Sequence, residues 1–239
     1  MLKNIIVLSS THIANQVVDI LNSTNSTLNY DIAENLEDLE KYNNEFLAES
    51  RLISFISTVI VPKKILDALG YDGINFHPGP PTRPGWAPFN FAIYDEDESY
   101  GITAHYMIEK VDAGKIIGID FFEINKNIKV SELVNKSLEG LTRLLKKLAL
   151  QLTNDKKIIA LPISWGQNKT SKRMFEHYCE IGKEITRKEL TKRIRAFGGD
   201  IKLPLYINAS DGKYIVDSSR TITVNSKYKT IHGVRFKKQ

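Results

Sequence analysis

The stretch NIIVLSSTHIANQVVDILN, residues 4–22, joins an apolar run to an amphipathic one. Residues 4–8 (NIIVL) are almost continuously apolar and rich in β-branched side chains, which is typical of a buried strand in a parallel sheet. Residues 11–22 then carry apolar side chains every three or four positions, the spacing of an amphipathic helix. Because a buried strand that leads into a helix is the repeating unit of α/β proteins, we expect this fold class.

The alternation of strands and helices continues along the chain. Further strands are predicted over residues 51–61, 73–76, 102–108 and 116–122, with a short one around 28–32. Helices are predicted over residues 36–47, 62–69, 88–94 and 130–152. This order favours an α/β layer fold with a mostly parallel sheet.

Residues 166–239 differ from the preceding part in charge and in pattern. They contain 17 Lys and Arg against 7 Asp and Glu, a net charge of +10, whereas residues 1–165 carry 16 against 21, a net charge of −5. Helices are predicted over residues 171–181 and 186–197, and short strands over 205–208, 214–216, 221–224 and 232–236. We expect one domain over residues 1–165 and a small basic α+β subdomain over residues 166–239. A basic subdomain can bind phosphate on a nucleotide, a nucleic acid or a membrane, although solvated helix faces explain the charge equally well.

The bulk composition is that of a globular protein, with 239 residues, 42% hydrophobic and 26% charged. No apolar run approaches the roughly 20 residues that a membrane-spanning helix needs. The apolar run at the N-terminus is too short for the core of a signal peptide. The single cysteine, Cys179, cannot form an internal disulfide, which fits a reducing compartment. We therefore expect a cytoplasmic protein without a membrane partner.

Two common classes of cofactor are not expected. The first turn after the first strand, residues 9–12 (SSTH), lacks the glycines that let a backbone approach the pyrophosphate of NAD, and Ser10 or Thr11 as a helix N-cap explains it. His77 and His105 have no Cys or His partner at ligand spacing, so no metal site is expected.

The polar residues around the strand at 73–76 predict a catalytic site. Asn75 and His77 are two positions apart, so their side chains share a face at the carboxyl end of the strand, where open α/β sheets bind ligands. Asp112 follows in a later loop within reach of the same edge. An imidazole moves protons, a carboxylate orients it, and an amide stabilises an oxyanion, which together suit acyl transfer to an amine. A histidine after a strand is also often only a structural hydrogen-bonding group, and spacing leaves both interpretations open.

A set of linked motifs resembles the formyltetrahydrofolate-dependent formyltransferases. The motifs are NFHP at residues 75–78, GWAP at 85–88, GITAH at 101–105 and VDAG at 111–114. The resemblance covers roughly residues 1–120 in the order of elements and is sharp between residues 73 and 117. It implies a Rossmann-like formyltransferase domain with N10-formyltetrahydrofolate as the formyl donor.

The resemblance implies a role for each matching polar residue. Asn75 is expected to hold the formyl oxygen, and His77 to act with it in proton transfer. Asp112 is expected to orient His77 and to hold a water that relays the proton of the amine. These three residues are the expected catalytic group.

Binding residues are implied less sharply. For the folate, the resemblance points to the turn near Ile60 and Pro62, to Thr103 and to Gly114. For the acceptor, the loop after His77 departs from the commonest family pattern, since it reads PGPPTRPG and is one residue shorter. Arg83, Trp86 and His105 are our candidates for acceptor contacts; Trp86 can instead pack under the loop, and His105 can be structural.

The C-terminal part decides which acceptor we expect. After Gly199 only residues 200–239 remain, which is too few for the β-barrel of methionyl-tRNA formyltransferases, since five strands with loops need on the order of 70 residues. The segments KTSKRMFEHYCEI and RKELTKRIRAF are similar to the region that follows the catalytic domain in sugar N-formyltransferases. We therefore expect the amine of a nucleotide-linked amino sugar, such as a dTDP-4-amino-4,6-dideoxyhexose, as the acceptor.

Other functions stay open at this point. A methionyl-tRNA or glycinamide ribonucleotide formyltransferase, a formyltetrahydrofolate hydrolase and a folate-binding protein without turnover are the alternatives. Nucleic acid is not the expected partner. The resemblance favours a homodimer. It also implies an enzyme that serves bacterial surface-polysaccharide synthesis.

Overall fold

The computed structural model describes residues 1–182, 184–199, 202–216 and 228–239. In the first part of the chain the elements are β1 (Asn4–Leu8), α1 (Thr11–Thr24), β2 (Asn29–Ala33), α2 (Leu36–Glu40), α3 (Asn44–Ala48), β3 (Ser50–Phe55), α4 (Lys63–Ala68) and β4 (Tyr71–His77). There follow α5 (Pro88–Asp95), β5 (Ser99–Tyr106), β6 (Ile116–Glu123) and α6 (Val130–Asn154). The last elements are α7 (Lys172–Cys179), α8 (Arg187–Phe197), β7 (Tyr206–Ala209), β8 (Gly212–Val216), β9 (Tyr228–Ile231) and β10 (Val234–Lys238).

A six-stranded sheet forms the centre of the fold, in the order β2-β1-β3-β4-β5-β6. Strands β2, β1, β3 and β4 are parallel, and β5 and β6 extend the sheet in antiparallel pairing. The predicted α/β fold with a mostly parallel sheet is therefore confirmed.

Helices cover both faces of the parallel strands. Every residue of β1 is buried, and alternate side chains point to opposite faces. Ile5 and Val7 pack into a core with α1 and α6, while Ile6 and Leu8 pack into a second core with α2, α3 and α4. This burial on both faces explains why the strand reads as an uninterrupted apolar run.

The strand predicted over residues 51–61 is shorter in the structure. β3 ends at Phe55, and Ile56 adopts a left-handed backbone with φ of 54°. The side chain of Ser57 then accepts a hydrogen bond from the N–H of Val59 at 3.2 Å, which forms a local turn. The prediction of a strand up to residue 61 was wrong because the second half of the apolar run forms a loop. Pro62 is the N-cap of α4 and does not end a strand.

The single helix predicted over residues 36–47 is two short helices, α2 and α3. The side chain of Asn43 accepts a hydrogen bond from the N–H of Phe46 at 2.8 Å and so begins a new helix. Asn35 caps α2 in the same way, on the N–H of Asp38. Two N-caps within one amphipathic stretch explain the break.

The longest helix, α6, has 25 residues and packs one face on the sheet. Its buried face carries leucines three or four positions apart, at Leu141, Leu145, Leu148 and Leu152. In the described part of the chain, no helix is both long enough and apolar enough to cross a membrane.

Arg51 closes the C-terminal end of α6 from inside the core. Its side chain is fully buried, and its guanidinium donates to the carbonyls of Gln151 and Leu152 at 3.2 and 2.6 Å. It also donates to the carbonyls of Asp155 and Lys156, at 2.8 and 3.3 Å. The Gln151 carbonyl also accepts from the backbone N–H of Asp155 at 2.9 Å, so Arg51 reinforces the last turn of α6 and sets the direction of the chain after it.

The chain forms two compact units. The first contains residues 1–85, 99–123 and 134–168, and the second contains residues 86–98, 124–133 and 169–239. The second unit holds α5, α7, α8 and a four-stranded sheet in the order β7-β8-β10-β9, whose described pairings are antiparallel. The predicted helix pair and C-terminal strands are thus found, except that residues 221–224 lie outside the described residues. The predicted division at residue 165 stays a prediction.

Candidate active site

The pairing of β4 with β5 gathers polar side chains on one face of the sheet. β4 ends at His77, and its antiparallel register with β5 places Asn75 opposite His105 and His77 opposite Thr103. Side chains that are directly opposite in an antiparallel pair lie on the same face, and positions i and i+2 also share a face. These four side chains therefore lie together at the edge where β4 ends.

Asp112 lies between two imidazoles. Its Oδ2 atom is 3.5 Å from Nδ1 of His77, and its Oδ1 atom is 3.4 Å from Nε2 of His105. The backbone N–H of Gly85 donates to Oδ2 at 2.8 Å. Asp112 adopts a left-handed backbone, with φ of 47°, and only 6% of its surface is exposed. A non-glycine residue in this conformation is retained where the surroundings hold it, as is common in functional sites.

The charge of Asp112 is set by opposing effects. Burial alone raises the pKa of the carboxyl, because a charged group loses water. The contacts with His105 and His77 and the bond from the N–H of Gly85 together outweigh burial and lower the pKa of Asp112 to about 2. Asp112 is thus a carboxylate throughout the neutral range.

His77 is held at both ring nitrogens. Nε2 is 3.1 Å from the carbonyl oxygen of Arg83, which can only accept, so this nitrogen carries a proton. Nδ1 faces the Asp112 carboxylate. Both nitrogens therefore meet acceptors, and the geometry suits a doubly protonated ring that is paired with Asp112.

His105 fixes the orientation of Asn75. Its Nδ1 atom is 2.9 Å from the carbonyl of Tyr106, so Nδ1 carries the proton in the neutral ring and Nε2 is an acceptor. Nδ2 of Asn75 lies 3.1 Å from that Nε2 atom and donates to it. An amide nitrogen has two N–H groups, so the second is oriented by the bond made by the first.

Trp165 is a site residue that no sequence motif indicated. Its indole N–H donates to the carbonyl of Gly114 at 2.8 Å. Its ring centroid lies 4.9 Å from that of His105 and 5.6 Å from that of His77, in both cases nearly edge-on. The available signal was a tryptophan directly before the polar stretch GQNKT, residues 166–170.

The residues expected to bind folate occupy two places. Ile60, 68% exposed, and Pro62 belong to the loop after β3. β3 is parallel to β4, with Phe55 opposite Phe76, so this loop begins at the same sheet edge as His77. Ile60 and Pro62 therefore stay candidates for the donor site.

Thr103 and Gly114 are already engaged in the protein. The buried hydroxyl of Thr103 donates to the carbonyl of Gly79 at 2.8 Å. This bond holds residues 78–85 (PGPPTRPG), which we call the proline-rich loop. At Gly114 a Cβ atom would lie 1.8 Å from the carbonyl oxygen of Tyr106, so glycine is needed for close approach. A folate contact by either residue stays a prediction.

The three candidates for acceptor contacts lie in different places and make different contacts. His105 belongs to the cluster around Asp112, and Arg83 contacts His77 through its backbone carbonyl. Trp86 belongs to the second unit and is 41% exposed. The backbone N–H of Trp86 donates to the carbonyl of Thr170 at 3.1 Å, and the Thr170 hydroxyl donates to the backbone carbonyl of Trp86 at 2.6 Å.

Solved structures with a similar fold include several sugar N-formyltransferases. A sugar N-formyltransferase from Shewanella sp. has a TM-score of 0.76 at 19% identity, covering 93% of this chain and 99% of its own. A 4-N formyltransferase from Francisella tularensis has a TM-score of 0.72 at 22% identity, covering 93% and 98%. An N-formyltransferase from Helicobacter canadensis, solved with folinic acid and dTDP-3-aminofucose, has a TM-score of 0.65 at 17% identity, covering 100% and 99%. At these identities the likeness shows the fold.

Sequence comparison finds a shorter but closer match. Methionyl-tRNA formyltransferase from Bacillus cytotoxicus is 40% identical over 89 residues, which is 37% of this chain and 28% of that protein. This chain therefore matches little more than a quarter of the length of these curated relatives. The sequence profile of the formyl transferase family matches residues 5–147. That match spans more than half of the chain, so the resemblance expected from the sequence is confirmed and the chain belongs to the formyl transferase family.

Proposed function

We propose that this formyltransferase moves the formyl group of N10-formyltetrahydrofolate to the primary amine of a nucleotide-linked amino sugar. The observation that carries the proposal is the buried cluster in which Asp112 lies between His77 and His105, with Asn75 on the same sheet face. The amine nitrogen attacks the formyl carbon, and the bond from that carbon to N10 breaks. The amine loses one proton and N10 gains one, so the products are a formamide and tetrahydrofolate.

Asn75 stabilises the oxyanion. Attack by the amine turns the formyl carbonyl into a tetrahedral centre with negative charge on oxygen. One N–H of the Asn75 amide is used by His105, and the other is the donor for this oxygen. A donor whose direction is fixed before the reaction loses little energy to reorganisation when the charge develops.

His77 handles the proton, with Asp112 as its partner. An imidazolium is the acid that can protonate the departing N10 near neutral pH, and the Asp112 carboxylate stabilises that charged form. The N–H of Gly85 keeps the carboxylate directed toward the ring. No covalent intermediate on the protein is required.

Donor and acceptor would approach along the edge where β4 ends. For the donor, the loop after β3 offers Ile60 and Pro62, and Thr103 and Gly114 support the loops around it. For the acceptor, Arg83 is our candidate in the first unit, and Trp86, which belongs to the second unit, stays a candidate from the sequence alone. Arg is suited to a diphosphate and Trp to stacking on a base.

We favour an amino sugar because of how much of each chain the structural matches cover. The sugar N-formyltransferase folds match nearly the whole of this chain and nearly the whole of their own. The methionyl-tRNA relatives match over 28% of their length, so a shared acceptor does not follow from that match. We propose a dTDP-4-amino-4,6-dideoxyhexose as the first acceptor to test and UDP-linked sugars as the second, in an enzyme that acts in the cytoplasm as a homodimer and supplies surface-polysaccharide synthesis.

The test is mass spectrometry of reaction mixtures. Purified protein is incubated with N10-formyltetrahydrofolate and a panel of dTDP- and UDP-linked amino sugars. A sugar nucleotide that gains one formyl group with wild-type protein and with His177→Asn, but not with His77→Asn, supports the proposal; His177 is exposed on α7 and serves as the matched control. No gain on any sugar would contradict the acceptor.

Two alternatives are separated by the same preparation. Formylation of charged initiator tRNA would support a methionyl-tRNA formyltransferase, the function of the relatives that are 40% identical over 89 residues. Release of formate from the donor with no amine present would instead support a hydrolase, which uses water as the acceptor.

A further inference from the structure

The segment that follows α6, residues 156–166, is bonded to the loop of residues 78–85 and to the loop that carries Asp112. At its start the Lys156 carbonyl accepts from Arg51, and further along the N–H of Leu161 donates to the carbonyl of Ile116 at 2.7 Å. At its end the N–H of Gly166 donates to the carbonyl of Pro81 at 2.8 Å. We call residues 156–166 the post-helix segment.

A tyrosine ties the middle of the post-helix segment to β5. The Tyr106 hydroxyl donates to the carbonyl of Ile158 at 2.5 Å and accepts from the N–H of the same residue at 2.7 Å. The backbone carbonyl of Tyr106 is the group that holds Nδ1 of His105. The post-helix segment is therefore bonded to the strand that carries one of the two histidines.

Trp165 is the residue of the post-helix segment that contacts the cluster of His77, His105 and Asp112. Its N–H holds the carbonyl of Gly114, two residues after Asp112, and its ring lies against both His77 and His105. One side chain thus contacts the two imidazoles that flank the carboxylate and the loop that carries the carboxylate.

We propose that Trp165 is a positioning residue for formyl transfer, which holds His77, His105 and the Asp112 loop in the arrangement that the reaction needs. The inference rests on the proposed function for its kinetic consequence and on the contacts alone for its structural one. Trp165 acts through the histidines and the loop, since its own N–H is bonded to Gly114.

The two loops of the site are already joined by the bond from the Gly85 N–H to Asp112, and Trp165 adds a second support to the loop that carries Asp112. Asp112 has a left-handed backbone, which costs of order 1 kcal/mol or more unless the neighbouring structure holds it. The proline-rich loop supplies Arg83 and Gly85 to the cluster, and the post-helix segment bonds this loop at Pro81. A displacement of about 1 Å in such a cluster costs about a hundredfold in rate.

Three changes at position 165 separate the two contacts. Substitution of Trp165 by 3-benzothienylalanine keeps the ring and replaces the N–H with sulfur, Trp165→Phe shortens the ring system, and Trp165→Leu removes the aromatic contact. We expect kcat to fall about fivefold for the first, the size of one hydrogen bond. For Trp165→Leu we expect about a hundredfold. KM for donor and acceptor should stay within about threefold, because Trp165 positions the catalytic group and binds neither substrate.

The matched control is Ile159→Ala, on the same segment and 84% exposed, which should leave kcat, KM and the melting temperature unchanged. Assays are run well below the melting temperature of every variant, so that a loss of folded protein does not lower kcat. A rise in KM with unchanged kcat, or an equal loss in Ile159→Ala, would overturn the proposal.

A spectroscopic readout decides the question without any substrate. In protein labelled with nitrogen-15 at its 5 histidines, the ring nitrogens report tautomer and protonation. Trp165→Phe and Trp165→Leu should shift the signals of His77 and His105 and leave those of His12, His177 and His232 in place. Unchanged signals from His77 and His105 would overturn the proposal even if activity fell. If the wild-type protein formylates no amine, the proposed function fails, and these spectra still test the role of Trp165.

Discussion

Nε2 of His105 lies 3.1 Å from Nδ2 of Asn75, across the register of β4 and β5. The opposite ring nitrogen of His105 is held by a backbone carbonyl. The imidazole is therefore a fixed acceptor, and the direction of the Asn75 amide follows from it. We therefore expect His105 to act on the proposed reaction through Asn75, and this relationship yields a prediction about the two residues together.

We predict that the effects of Asn75→Ala and His105→Ala on kcat are not additive. Asn75→Ala should lower kcat by about a hundredfold to a thousandfold, the usual loss for one oxyanion donor. His105→Ala should lower it by about tenfold, and the double variant should be no worse than Asn75→Ala, since the residues act as a unit. A double-mutant cycle measures this, and losses that simply multiply would show that His105 acts independently of Asn75.

Asp112 should make stability depend on pH in acid. Its pKa is lowered from 3.8 to about 2 in the folded protein, so its contribution is present above pH 3.8 and is lost as the pH falls toward 2. For a carboxyl that is only 6% exposed, the shift corresponds to about 2 kcal/mol. The difference in unfolding free energy between wild type and Asp112→Asn should therefore shrink between pH 4 and pH 2. Urea titrations over this range test it, and a constant difference would count against the ion-paired carboxylate.

Gly114 should tolerate no side chain. A Cβ atom there would lie 1.8 Å from the carbonyl oxygen of Tyr106, so the Asp112 loop must shift. We predict that Gly114→Ala destabilises the fold by about 2 kcal/mol or more and lowers activity more than this loss explains. Gly182→Ala is the control, since no atom of the residues that the structure describes lies within 4 Å of its Cβ position. Chemical denaturation and kcat compare the two, and similar behaviour of both variants would refute the close approach.

Arg51 should be among the residues most costly to replace. Arg51→Met removes the guanidinium from four backbone carbonyls at and just after the end of α6, of which that of Gln151 keeps its bond from the N–H of Asp155. We expect a loss of about 3 kcal/mol or more in unfolding free energy. Arg143→Met, which removes a half-exposed ion pair with Asp120, should cost at most about 1 kcal/mol. A comparable loss in both variants would argue against the capping role of Arg51.

Activity should rise from acid toward mildly alkaline pH. The acceptor amine must be neutral to attack, and protonation in acid removes its lone pair. Asp112 does not titrate in this range because its pKa is about 2, so the rise belongs to deprotonation of the amine, whereas deprotonation of a His77 imidazolium is the step that would lower the rate as the pH rises. Initial rates from pH 5.5 to 9 on an identified acceptor measure it. A flat profile would show that neither step controls the rate.

Local patterns predicted most of the first unit correctly. The apolar runs of β1 and the leucine stripe of α6 are direct consequences of burial on two faces and on one face. The N-x-H motif placed Asn75 and His77 on one face because side chains in a strand alternate. Where the pattern failed, at Ile56 and Asn43, the cause was a backbone conformation or a side-chain cap that the hydrophobic pattern does not reveal.

The sequence by itself determined the α/β class, the family and the identity of Asn75, His77 and Asp112 as the polar group to examine, because these follow from periodicity and from motifs along the chain. The tertiary structure alone showed that His105 holds Asn75, that Gly85 holds Asp112, and that Trp165 contacts both histidines. Those contacts depend on strand register and on the paths of loops distant in sequence. A backbone N–H or an indole ring becomes part of a site only when folding brings it there.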